Sequence, residues 1–264
     1  MINFYGSFKS ILIFCGAVTV FFFLYPILLI TALGAMNLGS ALTTSSFLAS
    51  VEVTFIIATA AAVLSVLVGT PFAYLLARSD FRFKEVIDAI IDIPIMVPHV
   101  LVGIMVVLAF SSQYGLGPFL QGIGINMIDT LMGAIITVTY LSATYSIRVT
   151  ESAIRMIEPD VELTARTLGS TPTFTFTHVI VPRIWKSIAN GAILTWARAV
   201  AEVGALLVVA YYVYFNGNYV YPASIYIYEG YEALGLAGAV KYSAALLIIV
   251  LATFIIYRFI LRHV

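Results

Sequence analysis

Six stretches of this chain, at about 10–33, 50–77, 90–110, 130–148, 190–213 and 240–260, are close to the ~20 apolar residues a helix needs to cross ~30 Å of hydrocarbon. In lipid every backbone polar group must be satisfied within the protein, so such stretches are expected as helices. A transmembrane barrel would instead show alternating segments of about ten residues, and the sequence has none. The composition agrees: 62% of the 264 residues are hydrophobic and 10% are charged, against about 25% charged in a soluble domain. The expectation is an all-α integral membrane protein with six transmembrane helices, residues 1–264 forming a single transmembrane domain. The first run is about 23 residues, longer than a secretory signal's apolar core of roughly 7–15, and reads as a retained span. Cys15 sits within it as a small apolar residue.

Lys and Arg assign the two sides of the membrane. Outside the spans they occur before the first run (Lys9), in the 78–89 connection (Arg78, Arg82, Lys84), in the 148–189 connection (Arg148, Arg155, Arg166, Arg183, Lys186), and at the end (Arg258, Arg262). The 34–49, 111–129 and 214–239 connections contain none. Both termini and the 148–189 connection are therefore expected in the cytoplasm. The net formal charge is zero, so no nucleic-acid partner is expected.

Prolines interrupt the apolar runs. Pro26 and Pro71 are expected as kinks that neighbouring helices compensate. Pro94 and Pro98, four apart in D-I-P-I-M-V-P-H-V-L-V-G, predict an extended or broken start to the third span. His99 beside them has two readings, a hydrogen-bonded structural histidine or a group that meets protons or solute. Residues 111–129 are rich in turn formers. Residues 211–231 hold eight tyrosines, which read as an interfacial belt or as a contact face for an external partner. Pro222 is suited to start a short helix along the outer surface.

The most polar passage runs from Glu158 to Pro182. Pro159 suits a first helical turn, Asp160 and Glu162 sit near its positive end, and Gly169 is placed as a left-handed cap. Val161, Ala165 and Leu168 recur at helical spacing as one apolar stripe. The prediction is a short amphipathic cytoplasmic helix over 158–170, followed by a second stop at Pro182. A helix that short needs a cover for its stripe, either the membrane surface or a partner. Arg198 and Glu202 lie four apart in the fifth run. A charge in hydrocarbon costs a few kcal/mol, so both are expected to face the interior or water. They read either as a self-neutralising pair that fixes packing or as a cation held by Glu202 near an anion pathway. Neither a phosphate-cradling G-x-x-x-x-G-K-[ST] nor a metal-binding motif occurs, so no cofactor is expected on this chain.

The segment from Glu162 to Pro182 resembles the loop of ABC-importer permease subunits, E-x-A-A-x-x-x-G, nine residues, then I-x-L-P. Glu162, Ala165 and Gly169 match, as does the spacing to Pro182; Thr164 stands where alanine is usual, Val179 for isoleucine and Val181 for leucine. W-A-R-A-V-A-E-V-G-A (196–205), P-I-M-V-P-H-V-L-V-G (94–103) and Y-G-L-G-P-F (114–119) resemble runs of the sulfate, molybdate and tungstate permeases, with Trp196 in place of phenylalanine, Ala201 of glycine and His99 of a proline. The resemblance implies a type I ABC importer permease fold with its core at about 47–258. It implies ATPase-coupling roles for Glu162, Thr164, Ala165, Leu168, Gly169 and Pro182. Pro94, Pro98, His99, Gly103, Arg198, Glu202 and Gly204 become pathway or gate candidates. The implied partners are two cytoplasmic ATPase subunits that use ATP and Mg, a second permease copy, an extracytoplasmic oxyanion-binding protein and membrane lipid. The competing class, an ion-coupled secondary carrier, predicts inverted repeats and midplane ionisable residues. No internal repeat is evident, and Glu202 is the one deep acidic residue.

Overall fold

The computed structural model describes the backbone of residues 6–263 and the side chains of 8–261. The chain divides into two compact units, Met1–Leu48 with Ile227–Ala252, and Ala49–Tyr226 with Thr253–Val264. Helices α1 (Gly6–Ala35), α2 (Leu38–Thr43) and α3 (Ser45–Arg78) come first. They are followed by α4 (Lys84–Met96), α5 (His99–Phe110), α6 (Gly117–Gly122) and α7 (Leu131–Arg155). Next are α8 (Pro159–Thr167), α9 (Pro172–Phe174), a π-helical turn (Thr175–Ile180), α10 (Val181–Val200) and α11 (Leu206–Val209). A hairpin of β1 (Val213–Phe215) and β2 (Asn218–Val220), then α12 (Ala223–Leu234) and α13 (Leu236–His263), complete the order.

By length and composition, three helices suit a membrane crossing among the described residues: Phe8–Ala35, Ser45–Arg78 and Leu236–Leu261. The pair α4 and α5 qualifies as a fourth, but it bends by 116° at its break. The expected 90–110 span is thus two helices, divided where Pro98 forces Val97 into an extended conformation. Pro26 and Pro71, by contrast, lie inside unbroken helices.

Helix α7 does not qualify because it is polar, and it is polar because it is buried. Thirteen of its residues are buried, among them Thr137, Ser142, Thr144, Ser146, Thr150 and Glu151. The hydroxyls of Thr137 and Ser142 donate to backbone carbonyls one turn back, at 2.7 and 2.5 Å, so burial leaves them satisfied. Helix α10 packs along α7. A Cβ added at Gly191 would lie 3.0 Å from Ser146 Cα, a close approach that glycine permits. Thr195 Oγ1 donates to the Ser142 carbonyl at 3.1 Å across the same contact. Ala73, Leu76, Ile147, Ala153, Ile154, Ile180 and Ile184 form an adjacent apolar cluster.

Two expectations are corrected. Pro182 does not stop a helix. The Val181 amide donates to the Phe176 carbonyl, five residues back, and this wider turn accommodates the proline ring so that α10 runs on. The expected 190–213 span ends at Val200, and residues 201–205 leave the helix to bury Glu202. Residues 213–220 form a hairpin whose turn places Asn216 and Gly217 at φ 49° and 84°, the left-handed conformations of a type I′ connection. In the smaller unit, α1 is exposed from Phe8 to Leu29. Near its C-terminal end a Cβ on Gly34 would collide with Ala244, which brings α1 against α13 there.

Candidate functional site

Two sites assemble in the larger unit. The first is α8. Glu158 is its N-cap and Pro159 its first residue, with Asp160 and Glu162 in the first turn. Its C-terminus closes in a Schellman arrangement: the Gly169 amide donates to Arg166 O at 3.0 Å and the Ser170 amide to Ala165 O at 3.1 Å. Gly169 has φ +92°, as predicted for its cap position.

The two faces of α8 differ. Glu162 turns inward, its side chain 13% exposed. It accepts from Arg78 Nε at 2.6 Å and from Tyr74 Oη at 2.6 Å, both on α3. Arg78 Nη2 also donates to the Ile157 carbonyl at 2.7 Å. Helix α8 is therefore bound to the end of α3 through one carboxylate. The other face stays open. Asp160, Val161, Thr164, Ala165 and Leu168 line a shallow groove of about 410 Å³ with Val179 and Arg183. Leu168 is 83% exposed, so nothing in the described chain covers the predicted stripe there. Pro182 lies between Val179 and Arg183 at the start of α10.

The second site gathers six of the seven other candidates. Pro98 is the N-cap of α5, and His99 its first residue. His99 meets Arg198 and Glu202. Arg198 Nη2 lies 2.7 Å from His99 Nε2, 2.5 Å from Nδ1 and 3.0 Å from Glu202 Oε2. His99 Nδ1 lies 2.9 Å from the same carboxylate oxygen. Glu202 is 1% exposed, and its Oε1 accepts from the Ala205 amide at 2.9 Å, beside the start of α11. Its carbonyl accepts from Ser224 Oγ. Gly103 and Gly204 make this packing possible. A Cβ at Gly103 would come within 2.8 Å of Ala205 O, and one at Gly204 within 3.0 Å of His99 Cβ. Pro94 is buried in the last turn of α4, before the bend.

A third charged group went unrecognised as a group in the sequence. Arg148 on α7 is paired with Asp88 and Asp92 of α4 and with Glu151, which also holds Arg155. Its signal was legible: Asp88 and Asp92 are four apart, and Arg148, Glu151 and Arg155 fall at i, i+3 and i+7 on one helix face. Among the described residues no group of three or more His, Cys, Asp or Glu is placed to hold a metal ion.

The chain matches the family of binding-protein-dependent transport system inner membrane components over residues 69–264. It is 36% identical over 204 residues to the molybdate/tungstate transport system permease protein of Pyrococcus abyssi, covering 77% of this chain and 74% of that one. It is 29% identical over 203 residues to the sulfate transport system permease protein of Synechococcus elongatus, covering 76% and 71%. Its fold is similar to a chain of a bacterial ABC transporter for alginate import, with a TM-score of 0.72 at 18% identity over 97% of this chain and 96% of the other. A chain of the MetNI methionine ABC transporter is also similar, with a TM-score of 0.61 at 20% identity, covering 83% and 95%.

Proposed function

The chain belongs to the family of binding-protein-dependent transport system inner membrane components, and from that premise we propose that it is the permease subunit of an ATP-driven importer for molybdate or tungstate. Helix α8 is the surface on which a cytoplasmic ATPase docks. The observation that carries this reading is the division of α8 into two faces, one bound to α3 through Glu162 and one open along Thr164, Ala165 and Leu168. A transmitting helix needs both a grip on the spans and a free face for its partner. ATP and Mg are used by that partner, and this chain contributes no cofactor site.

The six spans are α1, α3, the bent pair α4–α5, α7, α10 and α13, with both termini in the cytoplasm. The core lies at about 47–258, with α8 at the centre of the 158–170 docking segment. Helices α7 and α10 cross as interior helices, which is why their polar residues are tolerated. One chain has too few helices to enclose a gated path, so two copies form it, with two ATPase subunits beneath and an oxyanion-binding protein outside. Lipid or the second copy covers the exposed apolar surface of α1, and no nucleic acid takes part.

Along the pathway Arg198 supplies positive potential, and Glu202 and His99 hold it. Its charge is largely balanced by Glu202, which suits passage rather than tight binding, since the solute must leave again. Pro94, Pro98, Gly103 and Gly204 shape the break beside it. The molybdate/tungstate relative favours those anions, while the sulfate relative supports sulfate as the second reading.

Reconstitution in proteoliposomes tests this. Uptake of labelled molybdate is expected to need the ATPase, ATP and the binding protein together. Full uptake without the ATPase would sink the importer reading in favour of an ion-coupled carrier. Titrating the cognate binding protein with molybdate, tungstate and sulfate decides the anion.

A further inference from the structure

Arg148 and its partners lie outside both candidate sites, yet they connect them. The Arg148 guanidinium has five N–H groups, and all five are engaged. Nε and Nη2 grip Asp92 at 3.0 and 2.9 Å. Nη1 donates to Asp88 Oδ1 at 2.7 Å and to Glu151 Oε2 at 2.8 Å, and Nη2 also donates to the Asp88 carbonyl at 2.9 Å. Four of these five contacts reach α4 from α7. Thr144 Oγ1, one turn earlier on α7, adds a fifth by donating to Ile91 O at 2.8 Å.

The connection continues in the other direction. Glu151 Oε1 accepts from Arg155 Nε at 3.0 Å and Nη2 at 2.7 Å. Arg155 Nη2 donates in turn to the Leu76 carbonyl on α3 at 3.3 Å. Two residues further on, Arg78 holds Glu162 of α8. Polar contacts therefore run from α8 through α3 and α7 to α4. Helix α4 ends at the 116° bend, beyond which His99 meets Arg198. Directional bonds between α4 and α7 add to their packing in keeping the two helices in register. The group holds two cations and three carboxylates. Losing the Arg148 fork would leave Asp88, Asp92 and Glu151 repelling each other, which would free α4 from α7.

We propose that Arg148 is a positioning residue of the transport cycle, locking α4 to α7 so that a displacement of α8 reaches the bend at Val97–Pro98 and the Arg198 cluster. This rests on the docking role proposed for α8. The test uses the permease assembled with its ATPase subunits and binding protein in proteoliposomes. Lysine keeps the charge but offers three donors in place of a planar fork. In Arg148→Lys the ATPase subunits are expected to co-purify, while the ATP hydrolysed per molybdate imported rises about tenfold. Spin labels at Leu163 on α8 and Ile95 on α4 report the motion directly. On ATP binding both labels are expected to shift in the wild-type complex, and only the α8 label in Arg148→Lys. If Arg148→Lys does not assemble, Asp92→Asn serves for the same two measurements. Wild-type stoichiometry, or an α4 label that still follows α8, would overturn the joint. A wild-type complex without ATP-driven uptake would overturn the importer reading itself.

Discussion

Glu202 is the most demanding residue in the chain. A carboxylate at 1% exposure is sustained by Arg198, by His99 and by the Ala205 amide. Removing one partner of a buried pair leaves an uncompensated charge, at a cost of about 3–5 kcal/mol. Arg198→Ala is therefore expected to lower the thermal unfolding midpoint in detergent sharply, and Arg198→Ala with Glu202→Gln to recover much of the loss. A double variant no more stable than the single would mean that the pair does not carry this cost. Asp129 offers a second prediction. It sits outside the long helices at φ 54°, and burial raises its pKa above 3.8 while a Tyr211 backbone hydrogen bond partly offsets this. A raised folded-state pKa favours the protonated form, so this group's contribution to stability is present below 3.8 and is lost as pH rises through the raised value. Asp129→Asn keeps the left-handed preference and is expected to flatten that part of the stability–pH curve.

At the scale of the element, α8 is nine residues long and depends on its ends. Gly169 at φ +92° meets nothing within 4 Å of an added Cβ, so its constraint is conformational rather than steric crowding. Gly169→Ala is expected to cost about 1–2 kcal/mol locally. Faster hydrogen exchange at the Gly169 and Ser170 amides would show it, and Gly169→Asn should behave more like the parent because asparagine tolerates this region. Gly169→Asp also places a negative charge at the negative end of the helix beside the docking face. Uptake is expected to fall while the ATPase continues to hydrolyse ATP; undiminished uptake would count against the docking role. The bend between α4 and α5 is constrained differently. Gly103→Ala would press a methyl group against Ala205 O and Val208 Cβ, at an expected cost of about 1–3 kcal/mol in thermal unfolding.

For the whole molecule, the prediction concerns assembly. Native mass spectrometry of the purified importer is expected to give two copies of this chain and two of the ATPase; one permease copy per complex would refute the pathway as described. Within its own unit α1 is exposed from Phe8 to Leu29, as an apolar helix facing lipid would be. Legibility at this scale was uneven. Apolar run length located α1, α3 and α13 well, because lipid-facing helices must be apolar throughout. It described α10 poorly, because an interior helix answers to its protein neighbours instead.

Local chemistry was enough for the sequence alone to determine the helical membrane class, α8 with its Gly169 cap, the break at the Pro94–Pro98 pair and the pairing of Arg198 with Glu202. The class depends on run length and composition, and each of the others on residues within a turn or two of one another. Tertiary structure alone decided which way Glu162 points, that His99 completes the Arg198 cluster from 99 residues away, and that Arg148 binds α4. It also decided that Pro182 sits in a helix that continues, since a π-turn accommodates a ring that an ordinary α-turn would exclude. A side chain's partner across the fold is set by how helices pack, and spacing along one chain carries no record of that.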